Sequence, residues 1–231
     1  MGSQEEILYR EIWRQKVDRE HDLAADGDLR TVAALQMIDR GNRLLDVGCG
    51  EGTLAYRLRE QFREVHGIDI SKEAIRFARE KGIEGRVLNI NEEPLPYPDR
   101  TFDTVTSLDV IEHVFDPIRF VKEIHRVLTP GGHAVLSTPN IRKIQRIASL
   151  IAGHFPRTSY DPVGYDGGHL HYFTSRDMKN LMEQHGFAVT RIDGICGDRR
   201  TWKYRLAVFL LGQKFEKEFL SSGILIKARR L

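Results

Sequence analysis

Cysteine is scarce in this chain: Cys49 and Cys196 are the two thiols in 231 residues. Two thiols cannot build a disulfide framework, and one of them sits inside a glycine-rich loop where a crosslink is hard to place. A reducing, cytoplasmic setting is expected. Long apolar runs are also missing, because nothing approaches the roughly 18 consecutive apolar residues of a membrane-spanning helix. The first twenty residues, MGSQEEILYREIWRQKVDRE, are charged throughout and lack the apolar region of a secretory signal. Glu6 stands where a myristoylation signal needs Ser or Thr. Charge of one sign is lacking too. The 35 basic and 33 acidic residues leave a net charge of +2, which gives no strong field for nucleic acid or an acidic partner. What remains is an ordinary globular composition, 41% hydrophobic and 29% charged, able to bury a core.

Residues 5–20 place Ile7, Leu8, Ile12, Trp13 and Val17 at helical spacing, and residues 29–39 read as a second short helix stopped by Gly41. From residue 43 strands and helices alternate. Strands are expected at Leu44–Val47, Val65–Ile70, Arg86–Ile90, Phe102–Ser107, His133–Ser137, Phe187–Ile192 and Gly223–Ala228. Helices are expected at Thr53–Gln61, Ser71–Glu80, Pro117–Val127 and Ser175–His185. The alternation predicts an α/β fold, a doubly wound and mostly parallel seven-stranded sheet whose final pair runs partly antiparallel. The chain reads as one domain over 1–231. Residues 1–40 form a helical cover, 41–140 the core, and 141–231 a substrate-side lid with the last strands.

The stretch LLDVGCGEGTLA sets Gly48, Gly50 and Gly52 at alternate positions behind the first strand, where a doubly wound sheet holds its ligand. A dinucleotide site wants G-x-G-x-x-G, and Thr53 stands where its third glycine belongs. Asp46 ahead of the loop repels phosphates and attracts a cation or an amino group. Asp69 ends the second strand, where an acidic side chain accepts hydrogen bonds from ribose hydroxyls. The loop thus points to a nucleoside with positive charge and no phosphates; a plain tight turn is the alternative.

LLDVGCGEGTLA, GIDIS, FDTVTSLDVIEHVFDP and VLTPGGHAVLSTPN, in this order and spacing, resemble the class I S-adenosylmethionine-dependent methyltransferases over about residues 40–140. Within that family they are similar to the small-molecule branch, which includes ubiquinone-biosynthesis O-methyltransferases and enzymes of sugar and natural-product pathways. The resemblance implies a Rossmann-like methyltransferase fold with N-terminal helices and a helical lid, and S-adenosylmethionine as cofactor. By its pattern Asp46 and Gly48 face the methionine part, Cys49 and Gly50 lend backbone, Asp69 takes the ribose and Ile70 packs on the adenine. Leu108 lies beside the cofactor, and Asn89 or Asn91 stands in for the acid that usually meets the adenine amino group.

For chemistry, DVIEH places Asp109, Glu112 and His113 past the fourth strand, toward the acceptor. His113 is the candidate base for a hydroxyl acceptor. Competing readings are a Glu112–His113 pair that orders the loop, and the divalent-cation site that the resemblance implies for acid, acid and histidine; the expected site has no metal. GHLHYF supplies His169 and His171, which either line the acceptor site or belong to a packed aromatic loop. No spacing supports zinc. The segments 141–155 and 199–215 carry apolar stripes flanked by basic residues. Such helices lie on membrane surfaces or close over acyl substrates, while the plainer reading is a packed lid with a solvated basic face.

The expectation is therefore a cytoplasmic methyltransferase acting on a small molecule, with oxygen as the acceptor atom and no nucleic-acid partner. Rival readings are a macromolecular acceptor, a non-catalytic binder of the cofactor, and an NAD-dependent oxidoreductase.

Overall fold

The computed structural model describes residues 29–159, 165–196 and 202–231. The helix expected over 5–20, with Tyr9 and Trp13, lies outside the described residues. Seven strands form one sheet: β1 (Arg43–Val47), β2 (Glu64–Asp69), β3 (Glu84–Val87), β4 (Phe102–Leu108), β5 (Leu128–Pro139), β6 (Phe187–Ile195) and β7 (Gly223–Arg230). Their spatial order is β3-β2-β1-β4-β5-β7-β6. The first five pair in parallel, and β7 runs antiparallel to both β5 and β6. The helices are α1 (Leu29–Leu35), α2 (Thr53–Leu58), α3 (Lys72–Glu80), α4 (Pro117–Val127), α5 (Ile144–Ile151), α6 (Ser175–Gln184) and α7 (Trp202–Phe215).

Strands buried on both faces explain the unbroken apolar runs of the sequence. Successive residues enter opposite cores: Leu44, Val135 and Leu225 pack with α2 and α3, whereas Leu45, Leu136 and Ile226 pack with α4 and α6. Side chains start the helices. Ser71 Oγ accepts from Ala74 N at 3.1 Å, Asp116 accepts from Ile118 N and Arg119 N ahead of Pro117, and Thr174 forms a capping box with Asp177.

The third strand differs most from expectation, ending at Val87 rather than Ile90. Asn89 causes this. Its side-chain oxygen accepts from Asn91 N at 3.0 Å and its backbone oxygen from Glu92 N and Glu93 N, so the chain curls off the sheet edge. β5 is longer than expected, because Leu128 already pairs with Phe102 before a register shift. The lid is less packed than a closed cover: α5 has no fully buried residue, and Ile151 and Phe209 remain 82% and 85% exposed. Asn140 holds the lid's root. It donates to Glu218 O and Ser221 Oγ, both at 3.0 Å, and accepts from Arg142 N at 3.0 Å.

Behind β1 the glycine loop turns back on β2, with Gly48 N and Cys49 N donating to Ile68 O at 2.7 and 3.0 Å. Gly48 has φ +73°, and a Cβ there would stand 2.3 Å from Val110 Cγ2. Gly48→Ala adds a left-handed alanine to a clash, so a loss of roughly 2–4 kcal/mol in urea unfolding is expected. In a Val110→Ala background the same substitution costs less, because only the backbone strain remains.

Candidate functional site

The loop between β1 and α2 is set between two buried carboxyl groups. Asp69 Oδ2 accepts from Gly50 N at 2.9 Å and its Oδ1 from Ser71 N at 2.8 Å, which ties the glycine loop to the start of α3. Asp46 is buried in β1 and accepts from Thr106 Oγ1 at 2.7 Å. Burial pushes its carboxyl up to about 7, against the pull of the Thr106 hydrogen bond and with help from the Asp69 charge. Asp46 has no cationic side chain as partner among the described residues. A buried acid poised this way, beside a backbone that excludes a Cβ, fits a ligand bringing its own ammonium group.

Cys49 is a packing residue. Gly67 makes room for its sulfur, since a Cβ there would lie 2.7 Å from Sγ. Burial pushes its thiol well up, the Asp69 and Asp46 charges add to this, and the side chain stays a neutral thiol. Ile70 and Leu108, at the ends of β2 and β4, are partly buried. Asn89 is buried, and Asn91 Oδ1 accepts from Phe115 N at 2.8 Å, so Asn91 reaches toward the start of α4.

Beyond β4 the structure joins the DVIEH and GHLHYF segments into one unit. Glu112 O accepts from Leu170 N at 2.8 Å and from His171 N at 3.0 Å. His113 Nδ1 lies 3.2 Å from Gly168 O, and the His113 and His169 rings meet edge to face at 4.6 Å. A carbonyl can only accept, so Nδ1 carries the proton and Nε2 is the basic nitrogen of a neutral His113. His171 turns away, toward Phe173 at 6.1 Å.

Asp166 organises this unit, although the sequence reading passed over it. It accepts from Thr158 N and Oγ1 at 2.7 Å, Ser159 N at 2.8 Å and Tyr172 Oη at 3.1 Å. Burial opposes its ionisation, but the Ser159 and Thr158 donors outweigh this and hold the carboxyl below its usual range. Thr158 Oγ1, having donated to Asp166, accepts from His169 Nδ1 at 2.6 Å. The Asp-Gly-Gly turn signal at 166–168 was the available clue.

Asp109 does not join its neighbours in DVIEH. Its carboxylate pairs with Arg30 Nη1 at 2.5 Å and accepts from Ser137 Oγ at 2.5 Å. The acid, acid and histidine set implied for a divalent cation is therefore not assembled; Glu112, His113 and His169 instead bring possible ligand atoms within 4.8 Å of one another. Glu112 is fully buried among the described residues, with Thr138 beside its carboxyl. Burial, reinforced by the Asp109 charge, holds its carboxyl well above the usual range, and a carboxyl shifted toward its protonated form is a weaker metal ligand.

A cavity of about 490 Å³ opens at the carboxyl ends of β4 and β5, between Asp109, Pro139, Lys143, Arg146, Phe155 and Thr158. Its size suits a small molecule. Among the described residues, neither His113 nor His169 lines it, although Thr158, which does, is hydrogen-bonded to His169. The Arg30–Asp109 pairing carried no local sequence signal, because it joins segments 79 residues apart.

A family profile for the methyltransferase domain matches residues 16–192. The ubiquinone biosynthesis O-methyltransferase of Alkalilimnicola ehrlichii is 44% identical over 105 residues, covering 43% of this chain and 42% of that protein. The chain spans less than half of that relative. The enzyme of the same name from Aliivibrio fischeri is 29% identical over 171 residues, 72% of each chain. In structure the chain is similar to a Thermotoga maritima S-adenosylmethionine-dependent methyltransferase, described as a possible histamine N-methyltransferase. The TM-score is 0.70 at 17% identity, covering 97% of this chain and 99% of that one. With the profile spanning most of the chain, this protein belongs to the class I S-adenosylmethionine-dependent methyltransferases.

Proposed function

We propose that the protein methylates an oxygen of a small-molecule acceptor bound in the cavity beside Asp109. The observation that carries this reading is a cavity of about 490 Å³ at the carboxyl ends of β4 and β5, roofed by the chain's own lid. The O-methyltransferase names of the relatives support oxygen as the acceptor atom. When bound, S-adenosylmethionine supplies a methyl group already activated on a sulfonium, so the chain's task is alignment and exclusion of water. Asp46 and the Gly48 backbone receive the methionine end, with Cys49 and Gly50 shaping the loop. Asp69 takes the ribose, Ile70 and Leu108 flank the base and the reacting sulfur, and Asn89, with Asn91 behind it, meets the adenine edge. The whole chain acts as one domain, with core 41–140 under the lid. Two free buried thiols and near-balanced charge support a cytoplasmic location without a nucleic-acid partner. Formation of S-adenosylhomocysteine with a panel of hydroxylated small molecules, and none with RNA or peptides, is the supporting result; turnover restricted to RNA or peptides overturns it.

His113 fits a positioning role more directly than that of a base, because it anchors Gly168 and lies off the cavity. His113→Gln is expected to raise KM and lower the melting temperature while kcat stays within about ten-fold. A kcat loss of more than about a hundred-fold with cofactor affinity intact, and loss of the basic limb of the pH profile, would make it the base.

Asp46 generates a pH signature. Its carboxyl titrates near 7 in the folded chain against 3.8 for an ordinary aspartate. The folded value is raised, so its contribution to apo stability is full below the ordinary value and is lost as pH rises through 7. Cofactor binding runs the other way, because an ammonium group selects the carboxylate. S-adenosylhomocysteine affinity measured by calorimetry is expected to fall as pH drops from 8 to 6, within about ten-fold per unit. Asp46→Asn is expected to bind weakly and without this slope.

Exposed Leu150, Ile151, Phe209 and Leu210 support a peripheral membrane contact through the lid. Co-sedimentation with anionic vesicles at low salt is expected, and absence of binding removes this contact from the proposal.

A further inference from the structure

One wall of the cavity is a run of four consecutive residues, Phe155, Pro156, Arg157 and Thr158. No helix or strand includes this run, so its shape depends on the side chains that hold it. Asp166, which is buried and does not line the cavity, fixes both of its ends. At one end Thr158 N and Oγ1 each donate to the carboxylate at 2.7 Å, and Ser159 N follows at 2.8 Å. At the other end the Phe155 ring packs edge-on against Tyr172 at 5.7 Å, and Tyr172 Oη donates to the same carboxylate at 3.1 Å. Tyr165, next to Asp166 in the chain, meets the Phe155 ring at 5.1 Å. Arg146 holds the backbone between the ends, donating to Arg157 O at 3.3 Å and Thr158 O at 3.2 Å. Asp166 has φ +52°, a left-handed backbone that asparagine also tolerates. What separates the two residues here is the carboxylate, whose oxygens accept all four donors. An amide of the same shape turns a donor toward either the backbone pair or the hydroxyl pair.

We propose that Asp166 is a positioning residue for the methyl acceptor, holding the wall 155–158 through Thr158 and Tyr172 in the shape that receives that molecule. The inference rests on the reading of this cavity as the acceptor site. Phe155 and Thr158 then touch the acceptor, one with an apolar ring and the other with polar groups, and Asp166 acts through them. A wall without a fixed shape must be ordered as the acceptor binds, and that ordering weakens binding. The glycine loop is held by Asp69, and Asp46 by Thr106, so the donor side does not draw on Asp166.

The test is steady-state kinetics with phenol, catechol, 4-hydroxybenzoate and glucose as acceptors, read as S-adenosylhomocysteine release. For each one that the wild-type enzyme methylates, Asp166→Asn is expected to raise the acceptor KM at least about ten-fold, with kcat within about three-fold and S-adenosylhomocysteine affinity unchanged. An aspartate that only stabilises the fold gives the opposite split, a lower kcat from fewer folded molecules with KM unchanged, and that result overturns the proposal. Thr158→Val removes the hydroxyl donor, and combining it with Asp166→Asn is expected to raise KM little beyond the larger single effect. Increases that multiply in full overturn the action through Thr158. Tyr172→Phe keeps the ring, loses one bond to Asp166 and serves where Asp166→Asn does not fold; its KM is expected to rise about three-fold, and an unchanged KM counts against the proposal. Amide exchange followed by NMR is expected to quicken at least about ten-fold at Thr158 and Ser159 in Asp166→Asn, and unchanged rates at both overturn the proposal whatever the acceptor. If the wild-type enzyme methylates none of the four molecules, the reading of the cavity fails instead, and the exchange rates still decide whether Asp166 holds the wall.

Discussion

Gly48 lies so close to Val110 that a single added carbon would sit 2.3 Å from a methyl group. This contact joins the two halves of the site. Gly48 belongs to the glycine loop behind β1, which we propose receives the methyl donor, and Val110 to the segment after β4, on the proposed acceptor side. With φ of +73° at the same position, glycine alone satisfies both the backbone and the space. The remaining geometry builds outward from that point. Asp69 ties the neighbouring Gly50 to α3, and Thr106 in β4 holds Asp46 in β1. The glycine loop and the segment after β4 are therefore held in a fixed relation, which suits the alignment that an in-line displacement demands.

Two carboxyl groups near the acceptor show how neighbours sort identical chemistry into different states. Asp109 pairs with Arg30, whereas Glu112, three residues on, is sealed in the interior, where burial raises its carboxyl above the usual range. The Glu112 backbone does the structural work, holding Leu170 and His171. A third acid, Asp166, draws four hydrogen bonds and stays ionised despite burial. None of these differences follows from residue type; each follows from what the fold sets around the carboxyl.

Local patterns made much of the fold readable. Apolar runs marked strands, and the helices expected from Ser71, Pro117 and Ser175 begin at those positions or one residue on, capped by Ser71, Asp116 and Thr174. The third strand was misjudged because hydrophobicity in LNI suggested extension, while Asn89 closes its own turn there. At the site, alternate glycines with Asp46 and Asp69 were legible because they are close in sequence or fixed by strand topology. The Arg30–Asp109 pair was not, since it spans 79 residues and leaves no periodic trace.

From the sequence alone came the α/β class and the cofactor, because turn chemistry, strand burial and spacing are short-range properties. Only the tertiary structure decided that DVIEH and GHLHYF form one hydrogen-bonded unit, that Asp109 turns from it to Arg30, and that the cavity beside Asp109 is ringed by cations. Those outcomes depend on which distant segments share a place in space, and a side chain's charge and partners are settled there.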